Sequence, residues 1–361
     1  MPDPLSFTAP RLASVDALRG CTVAAMLLVN DPGDWGQVFA PLEHAQWNGC
    51  TPTDLVFPLF LFVMGVSVAL AILPRLEQGR APAVLRNAAL WRALRIVVVG
   101  VLINLLAAWL MPDRDMRWPG VLQRIGVCFA VVAMLAIYTP RRWWWIAIVA
   151  LLAIYTGLLL LGGTLDPWVN IASRTDSAVF GHYLWSVHPV TGQGHDPEGL
   201  LSTLPAVASS LLGLCAGCWL RAGKMGRLLG AGALALLLGY AWSLWIPFNK
   251  NLWTPSFTLW TAGCSMLAVA AFHQAIDVHG WPALGRRFGI NAIAAYAGSG
   301  LMQILLLAFG LQQVVYQTVF ASWITPLAGP RAASLAFAVA FVVLWWFIVW
   351  AMDRYRWHLK I

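Results

Sequence analysis

The chain has 361 residues, 60% of them hydrophobic and 11% charged, with a formal net charge of +8. A soluble domain carries about 25% charged residues, so this composition excludes one, along with a disordered chain, a collagen or a disulfide scaffold. What remains is an all-α polytopic transmembrane helix bundle, read as a single domain over 1–361 because no polar stretch is long enough to fold alone.

Runs near the ~20 apolar residues that cross a bilayer recur along the chain. They predict ten spans, at 13–30, 54–73, 91–111, 120–138, 143–162, 200–220, 228–246, 256–276, 289–310 and 331–352. Asp16 and Arg19 interrupt the start of the first. The stretch 311–327 is apolar but short, and reads as re-entrant or interfacial. The 21 Trp residues fit many helix ends at membrane–water interfaces.

An even span count puts both termini on one side. With those spans, 17 Lys and Arg residues fall on the terminal side, Arg11 and Lys360 among them, and 6 on the other. By the positive-inside rule both termini are cytoplasmic. The outer side holds 10 of the 15 acidic residues. An acidic outer mouth attracts a cationic solute and a basic inner mouth an anionic one; the inner charge is equally explained as topology signal alone. The net charge is therefore read against the membrane, and no nucleic-acid partner is expected. Met1 to Pro10 has no basic n-region, so no cleavable signal peptide is expected. The six Cys suggest no disulfide framework, and Cys215 and Cys218 read as small-residue packing. Ser209, Gly213 and Gly217 share that close-packing face.

Ionisable groups in or beside spans are costly and mark functional candidates. Asp16 and Arg19, three apart, share a helix face, either as a structural ion pair or with Arg19 near phosphates of an inner-face ligand. The outer loop from Asn30 to Asp54 contains His44, with Glu43, Asn48 and Asp54 close in sequence. Thr51 or Thr53 is placed to cap the helix that follows. Gln123 and Arg124 lie one turn inside a span, where Arg124 either snorkels out or lines a polar cavity. Asp196 and Glu198 are placed to hold an ammonium or to pair with Arg124. Asn249, Lys250, Asn251 and Trp253 make a sugar-binding kit or a plain interfacial loop. Asn291 opens the ninth span, as a cap or a ligand contact. His182, His188 and His195 share a loop at irregular spacing, and no metal is expected. No Walker, G-x-G-x-x-G or G-x-S-x-G motif occurs.

In this order the blocks RLASVDALRG, VN with HAQWNGCTPTDLVFPLFLFVMG, GVLQRIGV, DPEG, IPFNKNLW and FGINAI resemble the heparan-alpha-glucosaminide N-acetyltransferase family. HAQWNG and NKNLW are the most specific. The resemblance implies a multi-pass protein of the bacterial inner membrane that takes acetyl from cytoplasmic acetyl-CoA and places it on the amine of a glucosamine-type sugar at the periplasmic side. It implies His44 as the catalytic residue, with Asn30 beside it. Bacterial proteins of this size lack the additional lumenal region and preceding span of the lysosomal enzyme, and this chain is expected to lack them too.

The residues fit that chemistry. An amine attacks a thioester only when neutral, and a His of ordinary pKa near ~6.5 takes its proton at neutral pH. His44 acts either as general base in a direct transfer or as acetyl carrier. Asn30, Asn48 or a backbone N–H is placed to hold the oxyanion, and Asp54 or Glu43 to fix the imidazole tautomer. Asn48, Gln123, Arg124, Asp196, Glu198, Asn249, Lys250, Asn251 and Trp253 are the expected acceptor contacts. Arg19, Arg92, Arg95 and Asn291 are expected to contact acetyl-CoA. Membrane lipid is a further partner, and a homodimer is a permitted assembly. The alternative is a transporter or flippase for an amino sugar or lipid-linked sugar, using the same acidic mouth.

Overall fold

A computed structural model describes residues 12–111 and 113–357. Arg11, Lys360 and the Met1–Pro10 start lie outside the described residues. The elements in chain order are α1 (Ala13–Asn30), α2 (Val56–Ala71), α3 (Leu73–Glu77), α4 (Pro82–Leu110), α5 (Val121–Tyr138), α6 (Arg141–Leu161) and α7 (Ile171–Phe180). A two-residue hairpin follows, β1 (Ser186–Val187) against β2 (Gly194–His195). Then come α8 (Leu200–Arg221), α9 (Met225–Ser243), α10 (Pro255–Phe272), α11 (Arg286–Ile290), α12 (Ala292–Ala308), α13 (Leu311–Val315), α14 (Ser322–Ala328) and α15 (Pro330–Arg354).

Among the described residues nine helices are long and apolar enough to cross a membrane, and up to ten if the bent pair Ala292–Ala308 and Leu311–Ala328 is one span. That pair is bent by 87°. The bend falls at Gly310, whose φ of +67° is left-handed and suits glycine. Contacts at its two ends fix the path. Just before α12, the Gly289 carbonyl accepts from Arg19 Nε (2.7 Å), in the first turns of α1. Beyond its far end, Gln312 Nε2 donates to the Pro32 carbonyl (3.2 Å), just past the last turn of α1. α12 therefore runs the length of α1, and 311–328 lies along the face where α1 ends. Arg287 and Asp353 approach to 3.6 Å, bringing the end of α15 back to the face where α1 begins. The start of α1 and the end of α15 thus share one face, as an even number of crossings requires.

Small residues set the closest approaches. A Cβ on Gly65 of α2 would fall 1.9 Å from the Ser210 carbonyl oxygen of α8, and one on Gly213 of α8 would fall 2.0 Å from the Phe62 carbonyl oxygen. The small-residue face at Ser209, Gly213 and Gly217 is this seam, with Cys215 and Cys218 buried in the same helix. Close backbone approach substitutes for a hydrophobic driving force that lipid does not supply. α2 and α8 form the centre of the bundle, while α4, α6 and α9 keep most of their surface outward.

Candidate active site

The loop that carries His44 is shaped by its own helix start. Thr51 is the N-cap, Pro52 takes the first helical position, and Asp54 closes a capping box. Asp54 Oδ2 accepts from the Thr51 N–H (3.0 Å), the Thr51 hydroxyl (3.0 Å) and the Ala45 N–H (3.1 Å). Its other oxygen is left for His44, at 2.7 Å from Nδ1. The Asp54 side chain is 1% exposed and that of His44 39% exposed, so a fixed carboxylate holds an imidazole that opens to solvent. With Nδ1–H donating to Asp54, Nε2 is the basic nitrogen of the ring. Of the two tautomer-fixing candidates, Asp54 makes the contact; Glu43 contributes its carbonyl oxygen, which accepts from the Thr51 hydroxyl (2.7 Å).

A second loop, 247–254, packs directly on this pair, with Lys250 lying 206 positions from His44 in sequence. Gly49 N–H donates to the Phe248 carbonyl (2.7 Å), and Asn249 Nδ2 donates to Asn48 Oδ1 (3.1 Å). Asn249 Oδ1 accepts from the Leu252 N–H (2.8 Å), and Tyr155 donates its hydroxyl to the Leu252 carbonyl (2.5 Å). This places Lys250 Nζ 3.1 Å from both Nδ1 and Nε2 of His44. Burial pushes the Lys250 ammonium below its ordinary pKa, against the opposing pull of Glu198 and Asp54. Asn251, beside it, is half-buried, and no hydrogen bond joins it to this cluster among the described residues.

Beneath the loops lies a buried ionic group. Arg117 forks onto Asp196, Nε to Oδ2 at 2.7 Å and Nη2 to Oδ1 at 2.5 Å, and also bonds Glu198. Burial works against the Arg117 charge, but the two carboxylates outweigh it and hold its pKa above the ordinary value. Burial likewise opposes ionisation of Glu198, and Arg117 brings its pKa below the ordinary range. The sequence offered Arg124 as the partner of these acids; the structure corrects this. Arg117 takes both because it precedes α5 in the same loop layer, whereas Arg124 sits a turn inside the bundle and faces α8. Arg124 does not snorkel: it is 2% exposed, donates to the Gly199 carbonyl (3.2 Å) and to Ser202, and lies 5.2 Å over the Trp253 ring. Its Nε and Nη1 have no partner among the described residues, leaving two donors for a ligand oxygen. Trp253 in turn donates to Ser209 (3.1 Å).

His195 belongs to a neighbouring layer. Its Nδ1 is 3.0 Å from Ser173 Oγ, and its ring meets Trp47 edge-on at 5.0 Å. Burial lowers its pKa to about 4, and burial raises nearby Asp176 to about 7. Trp47 Nε1 also donates to the Leu165 carbonyl (2.9 Å), which ties the His44 loop to the α6–α7 connection.

Two residues stand apart from where sequence placed them. Asn30 ends α1 with an exposed side chain, and among the described residues no hydrogen bond joins it to His44. The next residue, Asp31, just past the helix with non-helical backbone, is the buried one; burial raises its pKa to about 8. Gln123 donates to the Trp118 carbonyl (3.1 Å) and braces the α4–α5 connection, away from the cluster.

The opposite face is built on a backbone crossing. A Cβ on Gly20 would fall 1.8 Å from the Gly285 carbonyl oxygen, and one on Gly289 would fall 1.8 Å from that of Asp16. The blocks RLASVDALRG and FGINAI are therefore two sides of one contact. Arg19 spans it, bonding Asp16 (2.6 Å), Ser67 (3.3 Å) and the Gly289 carbonyl. Arg92 lies within electrostatic range of Arg19 and Arg95, and 5.2 Å over Phe129. Asn291 is 1% exposed, and among the described residues neither polar atom of its side chain has a partner.

Sequence reasoning missed Arg117, Trp47 and Tyr155. Arg117 was one of six outer basic residues; its signal was an Arg just ahead of GVLQRIGV with two acids in DPEG to satisfy.

The family model described as "Heparan-alpha-glucosaminide N-acetyltransferase, catalytic" matches residues 11–239. Heparan-alpha-glucosaminide N-acetyltransferase of Homo sapiens is 28% identical over 359 residues, covering 81% of this chain and 53% of the relative. That of Mus musculus is 28% identical over 367 residues, covering 84% and 55%. The chain spans about half the length of the curated relatives it matches. The His44 loop, Arg117 and Glu198 fall inside the matched segment and Lys250 beyond it. With its apolar helices and these relatives, the chain is a multi-pass membrane protein and belongs to the heparan-alpha-glucosaminide N-acetyltransferase family.

Proposed function

We propose that this protein is a transmembrane N-acetyltransferase that takes acetyl from acetyl-CoA at the Arg19 face and delivers it to the amine of a glucosamine-type sugar at the His44 face. The observation that carries the reading is the Asp54–His44 pair: a buried carboxylate holds one ring nitrogen and leaves the other as the basic one, within 3.1 Å of a primary amine. That is the arrangement a general base for amine acylation needs. Arg19, Arg92 and Arg95 suit the phosphates of the donor. The basic excess supports a cytoplasmic Arg19 face and a periplasmic His44 face in a bacterial inner membrane.

In the reaction His44 Nε2 accepts the proton of the attacking amine while Asp54 stabilises the imidazolium. The free Nε and Nη1 of Arg124, or the Asn48 amide, would meet the developing oxyanion; such a donor is typically worth roughly 2.7–4 kcal/mol. Glu198 and Asp54 favour a cationic acceptor. Direct transfer and an acetyl-imidazole relay start from the same geometry, and label on His44 that neutral hydroxylamine releases separates them. Purified protein incubated with acetyl-CoA and a panel of amino sugars should release free CoA without any gradient. Gradient-dependent sugar movement with no CoA release would instead make it a transporter.

A further inference from the structure

We propose that Lys250 is an internal acetyl acceptor: when no sugar amine is bound, the site acetylates Lys250 Nζ and closes itself. The inference rests on the acetyltransferase reading above. Lys250 presents the functional group that an amino sugar presents, a primary amine. Its Nζ is 3.1 Å from both ring nitrogens of His44. Equal distances put Nζ over the ring face, off the in-plane lone-pair direction of Nε2, so it stands beside the base without occupying it. Its flexible four-carbon stem allows the short move onto the Nε2 side.

The surroundings match an acceptor site. Glu198 and Asp54 both act on the Lys250 charge, as they would on a sugar ammonium. The loop is pinned by Asn249 to Asn48 and by Tyr155 to Leu252, so the amine is held at the base. Burial favours the neutral, nucleophilic amine, while Glu198 and Asp54 favour its charged form. The step balances without a further reagent. The Nζ lone pair attacks the thioester carbonyl, a C–N bond forms and the C–S bond breaks. His44 Nε2 takes the amine proton and returns it to the departing thiolate, giving N-acetyl-lysine and free CoA. The product loses its charge and fills the acceptor position, so acceptor scarcity would turn the enzyme off.

The chain has three lysines, Lys224, Lys250 and Lys360. Lys224 is exposed in the α8–α9 turn, on the opposite face, and reports uncatalysed acetylation. The full chain in detergent is incubated with acetyl-CoA and no amine, and its peptides are examined by mass spectrometry. Lys250 should gain one acetyl group faster than Lys224 by on the order of 10²-fold, the low end of what a positioned base contributes. Glucosamine should suppress the modification, and His44→Ala should reduce it to the Lys224 level. Lys250→Arg, which keeps the charge but not the reactive amine, should abolish acceptor-free CoA release. Unmodified Lys250 in a preparation that releases CoA with glucosamine overturns the proposal and leaves the acetyltransferase reading intact. Equal Lys250 acetylation in His44→Ala also overturns it. Absence of both CoA release and modification removes both readings together.

Discussion

The two ends of α1 carry charge in opposite ways. Where it begins, Arg19 is clamped by Asp16, Ser67 and the Gly289 carbonyl over a glycine-mediated backbone crossing. That is a rigid platform for cations, held by main chain. Where it ends, the groups that matter lie on loops: His44 on Asp54, Lys250 on His44, and Arg117 on Asp196 and Glu198. Rigid cations suit the binding of an anion that does not change charge. Carboxylates and amines around a half-exposed imidazole suit the movement of a proton. The division of labour between donor and acceptor is thus written into how each end is built.

The comparison breaks first at His44. His44→Ala should lower acetyl transfer by on the order of 10²–10⁴-fold, the range of a positioned base, with the protein still folded and still binding acetyl-CoA. Retention of wild-type turnover in a folded variant would take the acceptor end out of the chemistry. Asp54→Asn should cost about 10²-fold in turnover by releasing the tautomer lock, and about 1 kcal/mol of stability by weakening the helix cap. Kinetics and thermal melting in detergent separate the two. Arg117→Met should leave Asp196 and Glu198 buried without their cation and cost about 3–5 kcal/mol, visible as a collapse in melting temperature.

At the other end, Gly289→Ala forces a Cβ into the Asp16 carbonyl, and should cost about 1–3 kcal/mol. Because Arg19 hangs on the Gly289 carbonyl, the same change should weaken acetyl-CoA binding more than amine binding. Equal effects on both substrates would argue against separate ends. A pH dependence at Asp31 tests the end of α1 without any substrate. Its folded pKa of about 8 lies above the ordinary 3.8, so the native state keeps a proton that the unfolded chain has lost. Raising pH through that window favours unfolding. Asp31→Asn should therefore melt higher than the parent above about pH 8, and much closer to it near pH 4, in paired scans.

The bundle was legible because span length and hydrophobicity are local properties. Ser209, Gly213 and Gly217 announced a helix seam for the same reason. Asp54 was readable as the partner of His44 because ten residues and one capping box join them. Arg124 was assigned the partners of Arg117, since sequence distance does not say which of two nearby guanidiniums stays in the loop layer and which turns into the bundle. Asn30 was placed at the site and lies exposed, since the choice between Asn30 and the buried Asp31 depends on how the chain leaves the last turn of α1. Lys250 was singled out by residue type, but its contact with His44 spans 206 positions and exists only in the folded chain.

Donor and acceptor are proposed to meet from opposite faces. The direct test uses proteoliposomes with acetyl-CoA sealed inside and glucosamine supplied only outside. N-acetylglucosamine should form outside and free CoA inside, and neither in vesicles carrying His44→Ala. Product that forms only when both substrates share one compartment would contradict it.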